Sequence, residues 1–265
     1  MHARLAAAAT LVCGCSLLPW DDLQSGGAAG GGAGGVGGVA NGGGGIAGAG
    51  GAGGASCPGV HGPEMVLLPR SCIDSTEVTN GDYAAFLIAA PSEIPAGCDG
   101  GTLQPTEPMT PDDLPVAGVD WCAAQRYCLW AGKRLCGALD ASATFEQATD
   151  ATKNEWYDAC STAGTQDYPF DGDPVENCNV ASKLGVRAPV ASMTACRGGY
   201  DAPIFDLIGN VEEWEDWCES SAPDALCLMH SGSYDDTAFD CARTSTLGRR
   251  ETYPKLGFRC CADRP

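Results

Sequence analysis

Three stretches of the chain carry apolar residues at helical spacing between recognisable start and stop signals. In the first, Thr79 is placed to cap a helix with Asp82 in its first turn. Tyr83, Phe86 and Leu87 fall on one face, and Pro91 marks the end. In the second, Asp120 is the expected cap, Ala124, Tyr127, Cys128 and Ala131 recur at helical spacing, and Gly132 is the stop. The third opens on Thr152-x-x-Glu155, the pattern of a capping box, with Trp156 and Cys160 one turn apart. Elsewhere beyond Cys57 the apolar runs are short and broken by Gly, Pro and Asp, which predicts loops and short strands.

The N-terminal part follows neither pattern. Arg4 precedes an apolar run from Leu5 to Val12 interrupted by Thr10, which reads as a signal peptide and is too short to span a bilayer. The run ends in Val12-Cys13-Gly14-Cys15, which resembles a bacterial lipobox with Cys15 as the lipidated residue; a plain secretory signal is the competing reading. From Gly26 to Ala55, 26 of 30 residues are Gly or Ala, so no core can form there. As a coil the segment spans about 30 Å, enough to hold a domain clear of a membrane. The expected organisation is a leader over 1–15, a flexible tether over 16–56 and a folded domain over 57–265.

Composition sharpens the picture. Sixteen cysteines imply disulfides and an oxidising compartment. Zinc sites fit badly, because no Cys-x-x-Cys repeat occurs and the histidines are His2, His61 and His230. Removing Cys13 with the leader and acylating Cys15 leaves fourteen cysteines, an even number as complete pairing requires. The net charge of -19 makes nucleic acid a poor partner. The membrane is expected as a partner through the N-terminal lipid, and Ser16, where aspartate would favour inner-membrane retention, tilts the localisation toward the outer membrane or cell surface.

Several blocks then occur in one order: Thr76-Glu77-Val78-Thr79-Asn80, Pro115-Val116 with Val119 and Trp121, and Tyr127-Cys128-x-Trp130-Ala131-Gly132-Lys133-Arg134-Leu135. Glu155-Trp156, Asp206 through Trp214, Gly232-Ser233-Tyr234 and Leu256-Gly257-Phe258-Arg259-Cys260 follow. Over about residues 64 to 263 the chain resembles the formylglycine-generating-enzyme, or sulfatase-modifying-factor, family. The resemblance implies an α+β, C-type-lectin-like fold, rich in loops.

The same resemblance exposes a missing part. Catalytic members oxidise a substrate cysteine with copper held by two cysteines in a Cys-His-x-x-x-Cys segment after the Gly-Ser-Tyr block, and a cuprous ion needs such soft ligands. Here the segment runs Asp235-Asp236-Thr237-Ala238-Phe239-Asp240-Cys241, with Asp236 at the first ligand position. Copper is therefore not expected, and Cys241 is at most a weak catalytic candidate. In the alignment that shortens this segment, the resemblance implies that Cys241 pairs with Cys160 and Cys128 with Cys260. The pairing of the other ten cysteines stays open.

The family's calcium loop corresponds to Asp206 through Glu213. Carried over, Asp206 and Glu213 would offer carboxylates and Gly209 and Val211 carbonyls, hard donors suited to calcium; the alternative is a loop held by its own hydrogen bonds. A second family calcium site would begin at Asn179-Val180, but no acidic partner follows between Ala181 and Pro189. His61 and His230 cannot supply the histidine cluster of an iron-dependent branch, and no nucleophile elbow surrounds His230-Ser231, so His230 is expected to be a surface residue. The function expected is a non-catalytic binding or structural module with an extracytoplasmic protein or glycan ligand; the competing expectation is an oxidase of the formylglycine-generating kind.

Overall fold

The computed structural model describes residues 56–140, 142–181, 183–230 and 232–265. The leader, Cys15 and nearly all of the tether lie outside the described residues. Helix α1 (Asn80–Ala89) begins where the Thr79 hydroxyl accepts the Asp82 N–H at 3.1 Å and Asp82 accepts the Thr79 N–H at 3.3 Å. Helix α2 (Trp121–Trp130) begins where Asp120 accepts the Ala123 N–H at 2.7 Å, and the chain leaves it through Gly132 at φ +73°. Both starts agree with the sequence pattern.

Helix α3 (Glu155–Ser161) departs from it. Its cap is Asn154, which accepts the Tyr157 N–H at 2.8 Å. Thr152 sits in the preceding turn and donates to Asp150 at 2.7 Å. The expected capping box fails because Glu155 is fully buried and turned to Arg134, with the Gly137 N–H donating to it at 3.0 Å. A charged tertiary partner outweighs a local backbone bond. A single-turn helix, α4 (Pro174–Asn177), and a short 3-10 turn at Phe145–Gln147 complete the helical elements among the described residues.

The strands are short. In chain order they are β1 (Met65–Leu67), β2 (Ser71–Asp74), β3 (Arg134–Leu135), β4 (Arg197–Gly198), β5 (Ile204–Phe205), β6 (Glu212–Cys218), β7 (Leu226–His230), β8 (Thr244–Gly248), β9 (Leu256–Gly257) and β10 (Cys260–Asp263). One antiparallel sheet has the order β1-β2-β10-β3, so the C-terminal strand sits between elements from the start and middle of the domain. A second has the order β8-β7-β6-β9, with β9 parallel to β6. Strands β4 and β5 form a separate pair.

Alternation along β10 explains the split core. Successive residues of a strand face opposite ways. Cys260 joins the cluster of Tyr83, Phe86, Tyr127, Trp214 and Phe258, whereas Cys261 joins that of Ile73, Trp156, Ile204 and Ile208. Each is stapled on its own side, Cys260 to Cys128 and Cys261 to Cys136. The other bridges are Cys57–Cys72, Cys98–Cys122, Cys160–Cys241, Cys178–Cys196 and Cys218–Cys227.

Candidate functional site

The segment that would hold copper lies just beyond β7. Asp236 accepts the Ser233 N–H at 2.9 Å and the Ser233 hydroxyl at 2.6 Å. Asp235 is paired with Lys255. Glu212, at the start of β6, is buried with Oε2 unpartnered. Burial first, then the neighbouring Asp236, pushes Glu212 up to about 7. Cys241 is bonded to Cys160. These donors are hard oxygens, and the sulfur nearest in sequence is already in a disulfide, so the residues do not fit a cuprous ion.

The loop from Asp206 to Glu213 is tightly built. Asp206 and Asn210 are left-handed, at φ 59° and 58°. Gly209 must be glycine, because an added Cβ would lie 2.4 Å from the Asn179 carbonyl oxygen. Asn179 holds the loop: its carbonyl accepts the Asn210 N–H at 2.8 Å and its amide donates to the Asn210 side chain at 3.1 Å. Asp206 accepts the Ala191 N–H at 2.7 Å. Glu213 accepts two bonds from Arg259, each at 2.7 Å, and the Trp156 indole N–H at 2.8 Å.

Glu77 completes the cluster, and nothing in sequence spacing pointed to it. It accepts the Asn210 side-chain amide at 3.1 Å and the Val211 N–H at 3.3 Å. Glu77, Asp206, Glu213 and Arg259 are all buried, so three carboxylates share one guanidinium. Burial raises Glu77 well above its ordinary range, with Asp206 and Glu213 adding repulsion. Burial likewise raises Asp206 to about 6, against the Ala191 N–H and Arg259, which pull it down. If all three ionise, two negative charges stay uncompensated inside the fold, and protons or a divalent cation can relieve them. The donors are hard oxygens of the kind calcium takes, but Asp206 is already bonded to Ala191 and Glu213 to Arg259 and Trp156, so an ion there would have to displace partners already in place.

His230 is not at the surface. It is 1 % exposed, stacked on Trp156 at 4.1 Å and paired through Nδ1 with Glu215, whose other oxygen accepts the Asn154 amide at 2.8 Å. It lies at the end of β7, opposite Glu213 of β6, and the carboxylate partner makes its burial affordable. Cys136, Cys261 and Glu155 also lie within ligand reach of one another, but the two sulfurs are joined and Glu155 is engaged by Arg134.

Comparison with known proteins accounts for these blocks. The Sulfatase-modifying factor enzyme 1-like domain matches residues 45–264. The chain is 28% identical over 190 residues to the Inactive C-alpha-formylglycine-generating enzyme 2 of Bos taurus, covering 64% of this chain and 56% of that protein. It is 29% identical over 172 residues to the Formylglycine-generating enzyme of the same animal, covering 57% and 44%. The chain thus spans about half the length of these curated relatives. PvdO from Pseudomonas aeruginosa superposes with a TM-score of 0.55 at 16% identity, over 76% of this chain and 94% of that one. CarF superposes with a TM-score of 0.53 at 20% identity, over 79% and 98%. At such identities the likeness speaks for the fold, which is the loop-rich, disulfide-stapled α+β fold of formylglycine-generating enzymes. The chain belongs to the sulfatase-modifying-factor domain family.

Proposed function

We propose that this chain is an exported, lipid-anchored protein of the cell envelope whose family domain binds or scaffolds and does not oxidise cysteine. The observation that carries the reading is the altered catalytic segment. Asp236, tied to Ser233, stands at the first copper-ligand position, and Cys241 is bonded to Cys160. The similarity to a relative named as inactive supports the same side, although the similarity to the Formylglycine-generating enzyme is of equal size. Thiol titration of the unfolded, unreduced chain, a copper(I) titration and a peptide-oxidation assay test the reading together. The expected result is no free thiol pair, no saturable copper binding and no aldehyde product. A free pair with stoichiometric copper would overturn it in favour of an oxidase.

Anchoring rests on Cys15, behind its apolar run, with the outer membrane or cell surface as the destination. Fatty-acid labelling that survives Cys15→Ala would remove the lipid from this reading. Calcium at the Asp206 to Glu213 loop would supply two positive charges to a buried acidic cluster. If calcium binds there, chelation lowers the thermal midpoint, since saturation at 100 times Kd is worth about 2.7 kcal/mol. An unchanged midpoint would remove calcium. The partner outside the membrane is then a protein or glycan, met by the loop-rich face of a rigid domain.

A further inference from the structure

The stretch that leads into β1 is an arm laid over the first sheet. Residues 56–63 form no helix or strand, and Ser56, Pro58, Gly59, Val60, His61 and Gly62 are exposed. A groove of about 550 Å³ is lined by Cys57 and His61 of the arm, by Met65 and Leu67 of β1, and by Lys133. Non-covalent ties are few among the described residues. The Val60 N–H donates to the Ala131 carbonyl at 2.9 Å, Lys133 donates to the Pro63 carbonyl at 2.8 Å, and the His61 ring stacks on Trp130 at 4.1 Å. The Cys57–Cys72 bridge joins the arm to β2.

The bridge holds the arm down against an unfavourable contact. Tyr127 is fully buried, and its hydroxyl has no hydrogen-bond partner among the described residues. Gly62 lies so close over that hydroxyl that an added Cβ would sit 2.4 Å from the oxygen. A buried hydroxyl without a partner is costly, and water would satisfy it if the arm lifted. Of the seven bridges this one is also the least held by the surrounding fold. In five of them both cysteines are buried, whereas Cys57 and Cys218 are partly exposed. Cys218 faces Cys227 across a strand ladder, and the Glu219 N–H donates to the Leu226 carbonyl at 2.9 Å, so those thiols would stay opposed after reduction. Cys57 belongs to no ladder, and its thiol would leave with the arm.

We propose that Cys57 is a thiol-exchange site, and that a low-molecular-weight thiol of the glutathione type releases the arm from the sheet. A thiolate attacks Cys57 Sγ. The new S–S bond forms as the Cys57–Cys72 bond breaks, and the electron pair passes to Cys72 Sγ, which takes a proton from water as the arm lifts. A second thiolate then displaces Cys57 as a thiol and leaves with the first as a disulfide, so two thiols are oxidised and one bridge is reduced. Release uncovers the groove-lining side of β1, the Tyr127 hydroxyl and Trp130, and frees the point where the domain joins the Gly/Ala-rich segment. The non-catalytic reading concerns Cys241 and is tested before any reductant is added, so the two fail in different measurements.

To test this, the full, oxidised chain is equilibrated with reduced and oxidised glutathione at graded ratios, quenched with N-ethylmaleimide and mapped by mass spectrometry. Cys57 and Cys72 should be modified, with glutathione found on Cys57, at a ratio roughly tenfold or more less reducing than any other bridge requires. Amide exchange at Val60 should rise about tenfold or more with that reduction, while the amides of β2 and β10 stay protected. Tyr127→Phe removes the unpartnered hydroxyl and should make the bridge severalfold harder to reduce. Should that variant misfold, the amide exchange of the unaltered chain decides. Opening of Cys218–Cys227 or any other bridge at the same or a milder ratio, glutathione absent from Cys57, or Val60 protection unchanged by reduction would overturn the proposal. So would a folded Tyr127→Phe chain whose bridge opens as easily as before.

Discussion

Arg259 faces three buried carboxylates and balances one of them. It grips Glu213 with two bonds and also donates to the Asp74 and Phe205 carbonyls at 3.2 and 2.9 Å. Removing one partner of a buried pair leaves an uncompensated charge, which is worse than never having had the pair. Arg259→Met should therefore cost about 3–5 kcal/mol in urea unfolding, and Glu213→Gln in the same chain should recover part of the loss. Other buried acids lead to a pH prediction. Burial raises Asp74 to about 7 despite Lys133, Glu155 to about 7 despite Arg134, and Glu212 to about 7. In the unfolded chain such groups ionise near pH 4, so each binds its proton more tightly when folded. Their contribution is full below pH 4 and is lost as pH rises through about 7. The thermal midpoint should accordingly be higher at about pH 5.5 than at pH 8, and Glu212→Gln should raise the pH 8 value; equal midpoints would count against the raised acids. Of this cluster, Asp206 and Glu213 were marked in the sequence only through the resemblance to the family's calcium loop. Glu77 and Arg259 could not be joined to them, since nothing local brings distant blocks together.

At the scale of elements, helix starts were legible where the hydrogen-bond partners of the cap lie in the first turn of its own helix. Those of Thr79 and Asp120 do, and α1 and α2 begin where the pattern says. The start of α3 moved because Glu155 serves Arg134 and Asn154 serves both Tyr157 and Glu215. Asn154→Ala should cost about 1 kcal/mol for the cap and more for the lost Glu215 contact, whereas Thr152→Ala should stay within about 0.5 kcal/mol. Chemical denaturation of the two variants checks this, and equal losses would return the cap to Thr152. The strands were harder to place. Most have two to five residues, too few for an alternation to rise above the surrounding loops, and β10 reads as two cysteines before a polar end.

The whole molecule is held by bridges that join distant parts of the chain. Cys128–Cys260 and Cys136–Cys261 close separations of 132 and 125 residues, and Cys160–Cys241 closes 81. Replacing Cys128 and Cys260 together with alanine should cost about 2–5 kcal/mol and leave thiol titration at zero; a free thiol would mean that the remaining bridges had reshuffled. Cysteine number by itself called for disulfides, because pairing chemistry follows from residue type, and seven bridges join the fourteen cysteines of the described residues. The order of blocks determined the family. Local capping determined two helices. Tertiary structure alone decided that His230 is buried against Glu215, that Glu77 and Arg259 complete the acidic cluster, and that Arg249 lies over Trp121. The reason is physical: caps and leaders depend on neighbours along the chain, whereas the ionisation of a buried carboxylate and the satisfaction of a buried guanidinium depend on groups that only folding brings near.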